Sequence, residues 1–316
     1  FFVAIAMFLL TRTSDGQVLR YGTGSWNADT LGNHRAVVQV KVKSDALLVH
    51  IDWRRRDHHP ENMDVIVVNA KTGKQVNNVY RANINREFGE LVFQAPNSGT
   101  YYFYYMPHVM SKGNYPKVKY NQPLCMAERS WITKHKLTAS QFSASQKAKF
   151  QKVTAAEIQS IDAFNSFYPM EVIASKAEIS SLLKKNPGVP FLVFPEYREY
   201  SIRMTDDIPQ RWAIRGAKTN LVDSVQKGEY YTFQAGVWAY LKSYQQVEIR
   251  FSDLKSVLNT IKAANFTCFN TEGSDSEGNY FEKNCGVRQD KVQAFWCGLQ
   301  IPVDAVPGKY SADVTV

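Results

Sequence analysis

The sequence is poor in the residues that build metal and nucleotide sites, with four cysteines and six histidines in 316 residues. No CxxC pair and no suitably spaced histidine pair occurs, which excludes the common zinc frameworks. Neither a glycine-rich phosphate loop nor a nucleophile elbow is present, so no nucleotide or other cofactor is expected. Positive charge is in excess, at +9, but it is not gathered. The one dense basic run, Arg54-Arg55-Arg56, is flanked by Asp52 and Asp57. A phosphate-binding face needs clustered Lys and Arg, so nucleic acid is not an expected partner. Long apolar runs are missing too. The apolar run Phe1–Leu10 is about half of what a membrane-spanning helix needs.

What that run does match is the apolar core of a signal peptide, with cleavage near Ser14 to Gln17. Residues 1–16 are therefore expected to be the remnant of a signal peptide, the alternative being a buried N-terminal strand. Cys268, Cys285 and Cys297 lie together in the last third of the chain, with Cys125 alone. In an exported protein one disulfide among these three is expected, and a Cys268–Cys285 bond would staple a loop; buried free thiols are the alternative. Asn265-Phe266-Thr267 is a glycosylation sequon, consistent with export. The expected location is secreted, extracellular or lumenal, and the expected product is a glycoprotein. The chain begins inside an apolar run and stops at Val316 directly after an alternating segment, so it reads as a fragment of a longer protein.

With 44% apolar residues, 17 Tyr and 18 Phe, the composition is that of a globular, β-rich protein. Residues 25–125 read as a first β-sandwich. Val38, Val40 and Val42 alternate with polar residues, as do Leu47, Val49, Ile51 and Trp53; Val65–Val68, Leu91–Phe93 and Tyr101–Tyr105 follow, separated by turn signals. Residues 126–204 read as a helical linker or brace. Phe150, Val153, Ile158, Ile161 and Phe164 recur at helical spacing, and Ser143 to Ser166 holds no Pro or Gly. A second helix opens with the capping box Ser175-Lys-Ala-Glu178 and is expected to end before Pro187. Strands return in residues 205–316, read as a second β-sandwich. Tyr231, Phe233, Ala235 and Val237 form one face, Val247, Ile249 and Phe251 another, and Phe295, Cys297, Leu299 and Ile301 a third. Tyr310, Ala312, Val314 and Val316 predict a last strand. The fold class is mainly β, two β-sandwich domains joined by a short helical segment.

Several residues have the chemistry of a site. Glu196, Arg198, Glu199, Arg203, Asp206 and Asp207 hold enough carboxylates for acid–base chemistry or a calcium site, but the interleaved arginines predict an interdomain ion-pair network. Trp212 and Trp238 are candidate sugar-stacking rings if exposed, with core packing as the alternative. Asp57-His58-His59-Pro60-Glu61 reads as a solvated turn, because adjacent histidines point apart and Pro60 marks a loop. Glu272 to Asn279 has the oxygen-rich look of a calcium loop but lacks the bidentate Glu, and reads as a flexible turn. No metal ligand is assigned.

The run Lys227-Gly228-Glu229-Tyr230-Tyr231-Thr232-Phe233-Gln234 followed by Val247 to Ser252-Asp253-Leu254 resembles the N-terminal, non-catalytic domain of glycoside hydrolase family 123-like proteins. So does the closing segment from Trp296 to Val316, through Ile301, Pro302, Ala305, Pro307, Gly308, Tyr310, Val314 and Val316. Phe167-Tyr-Pro-Met-Glu171 and Phe194-Pro-Glu-Tyr-Arg198-Glu199 are also similar to bacterial relatives of the group. The resemblance implies a domain that precedes a (β/α)₈ barrel carrying an adjacent Asp-Glu pair. No position here matches that pair, so no catalytic residue of this chain is assigned. The expected function is the non-catalytic portion of a secreted glycoside hydrolase, with a glycan as partner and the barrel outside this chain. The alternative is a secreted carbohydrate-binding or adhesion protein built of β-sandwich modules.

Overall fold

The alternation of valines and aromatics in the first hundred residues produces strands, and the apolar face of each is buried. The computed structural model describes residues 11–12, 18–139, 141–217 and 220–316. The signal-peptide remnant expected at residues 1–16 lies outside these, apart from Thr11–Arg12, which pair with Leu19 and Val18. The chain is mainly β and divides into two units, Phe1–Tyr168 and Pro169–Val316.

The first unit contains Val18–Thr23 (β1), His34–Val40 (β2), Ser44–Ile51 (β3), Ile66–Asn69 (β4), Val79–Ile84 (β5), Gly89–Ala95 (β6), Gly99–Tyr104 (β7) and Gln151–Ser160 (β8). They form two layers, β4-β7-β2-β8-β1 and β8-β3-β6-β5. Between them Ala36, Val38 and Val40 meet Leu47, Val49, Ile51, Leu91, Phe93, Tyr101 and Phe103 in one core. Each large side chain buried there contributes about 1.5–3 kcal/mol. Val42, the third of the alternating valines, lies past the end of β2 and is exposed. Arg129–His135 (α1) covers the outer side of the second layer, where Trp131, Leu137 and Phe142 pack on Leu48, Ala82 and Val92.

Strand β8 is shared by both layers. Gln151 to Thr154 pair with β3, and Ala155 to Ser160 pair with β2, with a register shift between Ala155 and Glu157. Strands that switch sheets in this way make the corners of layered β folds. Here the sequence predicts a helix, and the bulge explains the difference. Val153 and Ala155 face the core, the extra residue resets the alternation, and Ile158 faces the core next. A period of two interrupted by one residue mimics helical spacing. The segment 126–204 is thus not continuously helical, and the boundary between the units falls inside it, after Tyr168.

The second unit is built on Leu192–Tyr197 (β9), Tyr230–Trp238 (β10), Phe266–Cys268 (β11) and Val292–Gln300 (β12), an antiparallel sheet in the order β9-β10-β12-β11. One face carries Tyr231, Phe233, Ala235, Val237, Phe295, Cys297 and Leu299, covered by Ile261, Val287, Phe251 and the closing residues Tyr310, Ala312 and Val316. The opposite face carries Leu192, Phe194, Trp238 and Val292. It is covered by Leu182 from Lys176–Lys184 (α2) and by Trp212 and Ala213 from Gln210–Arg215 (α3). In place of two stacked sheets, this unit therefore has a sheet with helices on one face. The α2 capping box forms as the sequence predicts. The Ser175 hydroxyl accepts from the Glu178 amide, and the Glu178 carboxylate accepts from the Ser175 amide at 2.7 Å. The predicted last strand is reduced to Val314–Thr315, paired with Arg250 and Phe251, and Val314 is exposed. Among the described residues no helix is long and apolar enough to cross a membrane.

Candidate functional site

Glu196, central to the acidic cluster, points into the second unit. Its side chain is 0% exposed. It accepts from the Trp212 indole at 2.7 Å and pairs with Arg215 at 2.9 Å and Arg211 at 3.4 Å. A buried carboxylate needs such charge-assisted partners, and removing one leaves an uncompensated charge. Sealed from solvent, Glu196 holds α3 against β9. Arg198 pairs with Glu229, Arg203 with Glu171 and Asp206 with Lys291, all within the second unit rather than between units. Glu199 is exposed.

Both candidate sugar-stacking tryptophans are core residues. Trp212 lies flat on Phe194, centroids 4.4 Å apart, and Trp238 packs against Tyr240. Their apolar faces are already taken, which is the usual fate of a large ring in a small unit. In the His58–His59 turn Asp57 is held by Arg55 at 2.9 Å, and His59 meets Glu61 at 3.1 Å. The oxygen-rich loop is the tip of a hairpin in which the Asp275 carboxylate accepts from the Glu277 and Asn279 amides. No group of three His, Cys, Asp or Glu among the described residues is placed to hold a metal ion. The sequon residue Asn265 is half-buried and donates to the Lys262 carbonyl. All four cysteines are free thiols in the structure.

The arrangement best suited to a ligand lies on the outer face of the first layer. Register places Arg20, Glu157, Val37, Tyr102 and Val68 in one row across five strands, and Gly22, Gln159, Arg35, Tyr104 and Ile66 in the next. The Arg35 guanidinium sits 4.4 Å from the Trp26 ring centre and 3.6 Å from that of Tyr102. Its Nε donates to Gln159 at 2.8 Å and its Nη1 to the Tyr104 hydroxyl at 3.1 Å. Gln159 in turn donates to Glu157 at 2.8 Å, and Arg20 reaches the same carboxylate at 3.5 Å. The result is a chain of polar groups that fix one another beside two half-exposed rings.

Glycines make room for this cluster. A Cβ on Gly24 would come within 2.7 Å of both Arg35 Nη2 and Gln159 Oε1. Gly32, at φ 74°, lies against the Met106 carbonyl where no side chain fits, and its own carbonyl accepts from the Trp26 indole at 2.7 Å. The platform was not assigned from the sequence, although one signal was available. In Tyr101-Tyr-Phe-Tyr-Tyr105 only alternate rings can enter one core, so Tyr102 and Tyr104 must face outward.

Comparison with known proteins bears on this same region. Residues 24–161 match the family model "Glycoside hydrolase 123, N-terminal domain". The chain resembles the N-terminal region of family 123 glycoside hydrolases. The platform residues Trp26, Arg35, Tyr102, Tyr104, Glu157 and Gln159 all fall within the family 123-like segment. The motifs at 227–237, 247–254 and 296–316 lie outside it. A family 123 glycoside hydrolase from Clostridium perfringens, described in terms of glycolipid glycan hydrolysis, is 16% identical over 40% of this chain, with a TM-score of 0.30. The match spans 24% of that structure's length. The CsuC-CsuE chaperone-tip adhesion subunit complex of Acinetobacter baumannii Csu pili is 10% identical over 94% of this chain and 97% of its own, with a TM-score of 0.20. Both TM-scores are too low to define a shared fold. No curated protein matches the chain.

Proposed function

We propose that this chain is the non-catalytic, N-terminal portion of a secreted glycoside hydrolase, and that the outer face of its first layer contacts the glycan. The catalytic barrel lies outside the chain in this reading. The observation that carries it is the Trp26–Arg35–Tyr102 stack with its Gln159–Glu157 relay, placed within the residues that match the family. Sugars present apolar C–H faces beside hydroxyls, and aromatic edges set among fixed amide and carboxylate groups offer partners for both. Glu196, the most strongly paired carboxylate of the predicted acidic cluster, is buried, which favours support over turnover.

Isothermal titration against a glycan panel, with aryl-glycoside hydrolysis measured on the same protein, tests the reading. Binding without hydrolysis is expected. Tyr102→Ala and Trp26→Ala are expected to weaken binding about tenfold or more, because each removes a ring from the stack. Hydrolysis abolished by substituting a carboxylate of this chain would sink the reading, as would binding unchanged in both ring variants. The intact mass of the native protein separates this reading from a stand-alone secreted glycan-binding or adhesion module. Peptides beyond Val316 support the former, and a native terminus at Val316 the latter.

A further inference from the structure

Three of the four cysteines converge on one core of the second unit. Cys268 and Cys297 are both buried in it, and Cys285 packs at its margin. Cys268 ends β11 directly opposite Cys297 on β12. The hydrogen-bond pattern fixes what kind of pair this is. The amide of the next residue, Phe269, donates to the Trp296 carbonyl at 2.9 Å. The Cys268 amide turns away from β12 and donates to the Glu272 carboxylate at 2.9 Å. Cys268 and Cys297 are therefore a non-hydrogen-bonded pair of the ladder, the position where facing side chains come closest. Cα atoms in such pairs stand about 4.5 Å apart, inside the roughly 4.4–6.8 Å range that a disulfide spans. The two side chains face each other across this pair.

We propose that Cys268 and Cys297 are the disulfide-forming pair of this protein and that Cys285 is left as the free third thiol. The contact already polarises the pair. The contact with Cys297 lowers the Cys268 pKa to about 6, while the same contact and burial push Cys297 upward. Cys268 is thus the attacking thiolate. Burial, with Cys268 close by, raises Cys285, which keeps it the poorer nucleophile. With oxidised glutathione as the disulfide reagent, the Cys268 thiolate attacks one glutathione sulfur and expels the other as a thiolate. The Cys297 thiol then gives up its proton and attacks Cys268 Sγ, expelling the second glutathione. Two protein thiols lose two protons and two electrons, and one glutathione disulfide becomes two glutathione thiols. Because both sulfurs are sealed in the folded core, the exchange belongs to folding, at the stage when β11 is paired with β12 but Ile261, Val287 and Phe251 do not yet cover the pair.

Refolding the whole reduced chain in a glutathione redox buffer tests this. Remaining thiols are alkylated in denaturant, and the peptides are mapped without reduction. The expected product joins Cys268 to Cys297 and leaves Cys125 and Cys285 alkylated. A bond from Cys285 or Cys125 to either partner, or four alkylated cysteines, overturns the assignment. Cys285→Ser is the variant that leaves the pair untouched. The same cross-link must form in it to the same extent, and its loss there would equally overturn the proposal.

Discussion

The two units bury similar strands in different ways. In the first, two layers face each other across a single core and β8 runs from one layer into the other, so strand pairing itself closes the structure. In the second, one sheet has a core on each face, one covered by short ribbons and the other by α2 and α3. A unit closed by pairing spreads its stability along backbone ladders. One closed by docked helices concentrates it in a few anchors, here Trp212 and Glu196. The contrast extends to polar chemistry. The first unit sets its arginine–aromatic cluster on the outer face of a layer, with Arg35 buried beside the half-exposed Trp26 and Tyr102, whereas the second seals its best-paired carboxylate inside.

Four measurements would break or sharpen this contrast. Trp212→Ala removes the ring stacked on Phe194 and the indole that donates to Glu196. It is expected to cost about 3–5 kcal/mol in the second unit's unfolding transition, with the first unit's transition unmoved in calorimetry. Equal losses in both would show that the units do not unfold separately. Next, closing the loop between Cys268 and Cys297 is expected to stabilise the second unit alone by about 3.5 kcal/mol, read as the difference between oxidised and reduced protein in urea.

The third measurement concerns the first unit, where His34 and His50 shift in opposite directions. Burial lowers the His50 pKa, but hydrogen bonds to Asp52 and Glu90 outweigh it and raise it to about 9. Burial lowers His34 to about 4. His50 stabilises the fold fully below its unfolded value near 6.5, and that contribution is lost as pH rises from there through 9. His34 stays neutral in the core, so stability is lost as pH falls from 6.5 toward 4. The first unit should therefore be most stable near pH 6.5. Solvent reaches 35% of the His50 side chain, which reduces its share to about 1–2 kcal/mol. Histidine NMR titrations check both values, and a His50 that titrates near 6.5 would remove the alkaline limb. The smallest effect is expected from Ser175→Ala, which removes the α2 cap at about 1 kcal/mol and should again move only the second transition.

How much of this was legible depended on whether one periodicity ran unbroken. Val38 and Val40, Leu47 to Ile51, and Tyr231 to Val237 each keep a strict alternation, and all are strands with the expected face inward. The Ser175–Glu178 box marked α2 because capping is chemistry local to four residues. Strand β8 was hidden by its bulge, and α3, from Gln210 to Arg215, is too short to display a period. The candidate site was less legible. Whether Trp212 is a platform or an anchor depends on Phe194 and Glu196, which only the folded sheet brings to it. Arg35 meets Tyr102 and Gln159 through pairings with β7 and β8, from distant parts of the chain.

Strand β8 also sets the order of events in synthesis. Its partners β1, β2 and β3 leave the ribosome more than a hundred residues before it does, and until Gln151–Ser160 follows them neither layer has its joining strand. The nascent first unit therefore waits with two open edges, and its closure is a late, long-range event of the kind that slows β-rich folding. Chaperones that mask strand edges would act in that interval, and a ribosome stalled before residue 151 would display an unclosed sheet.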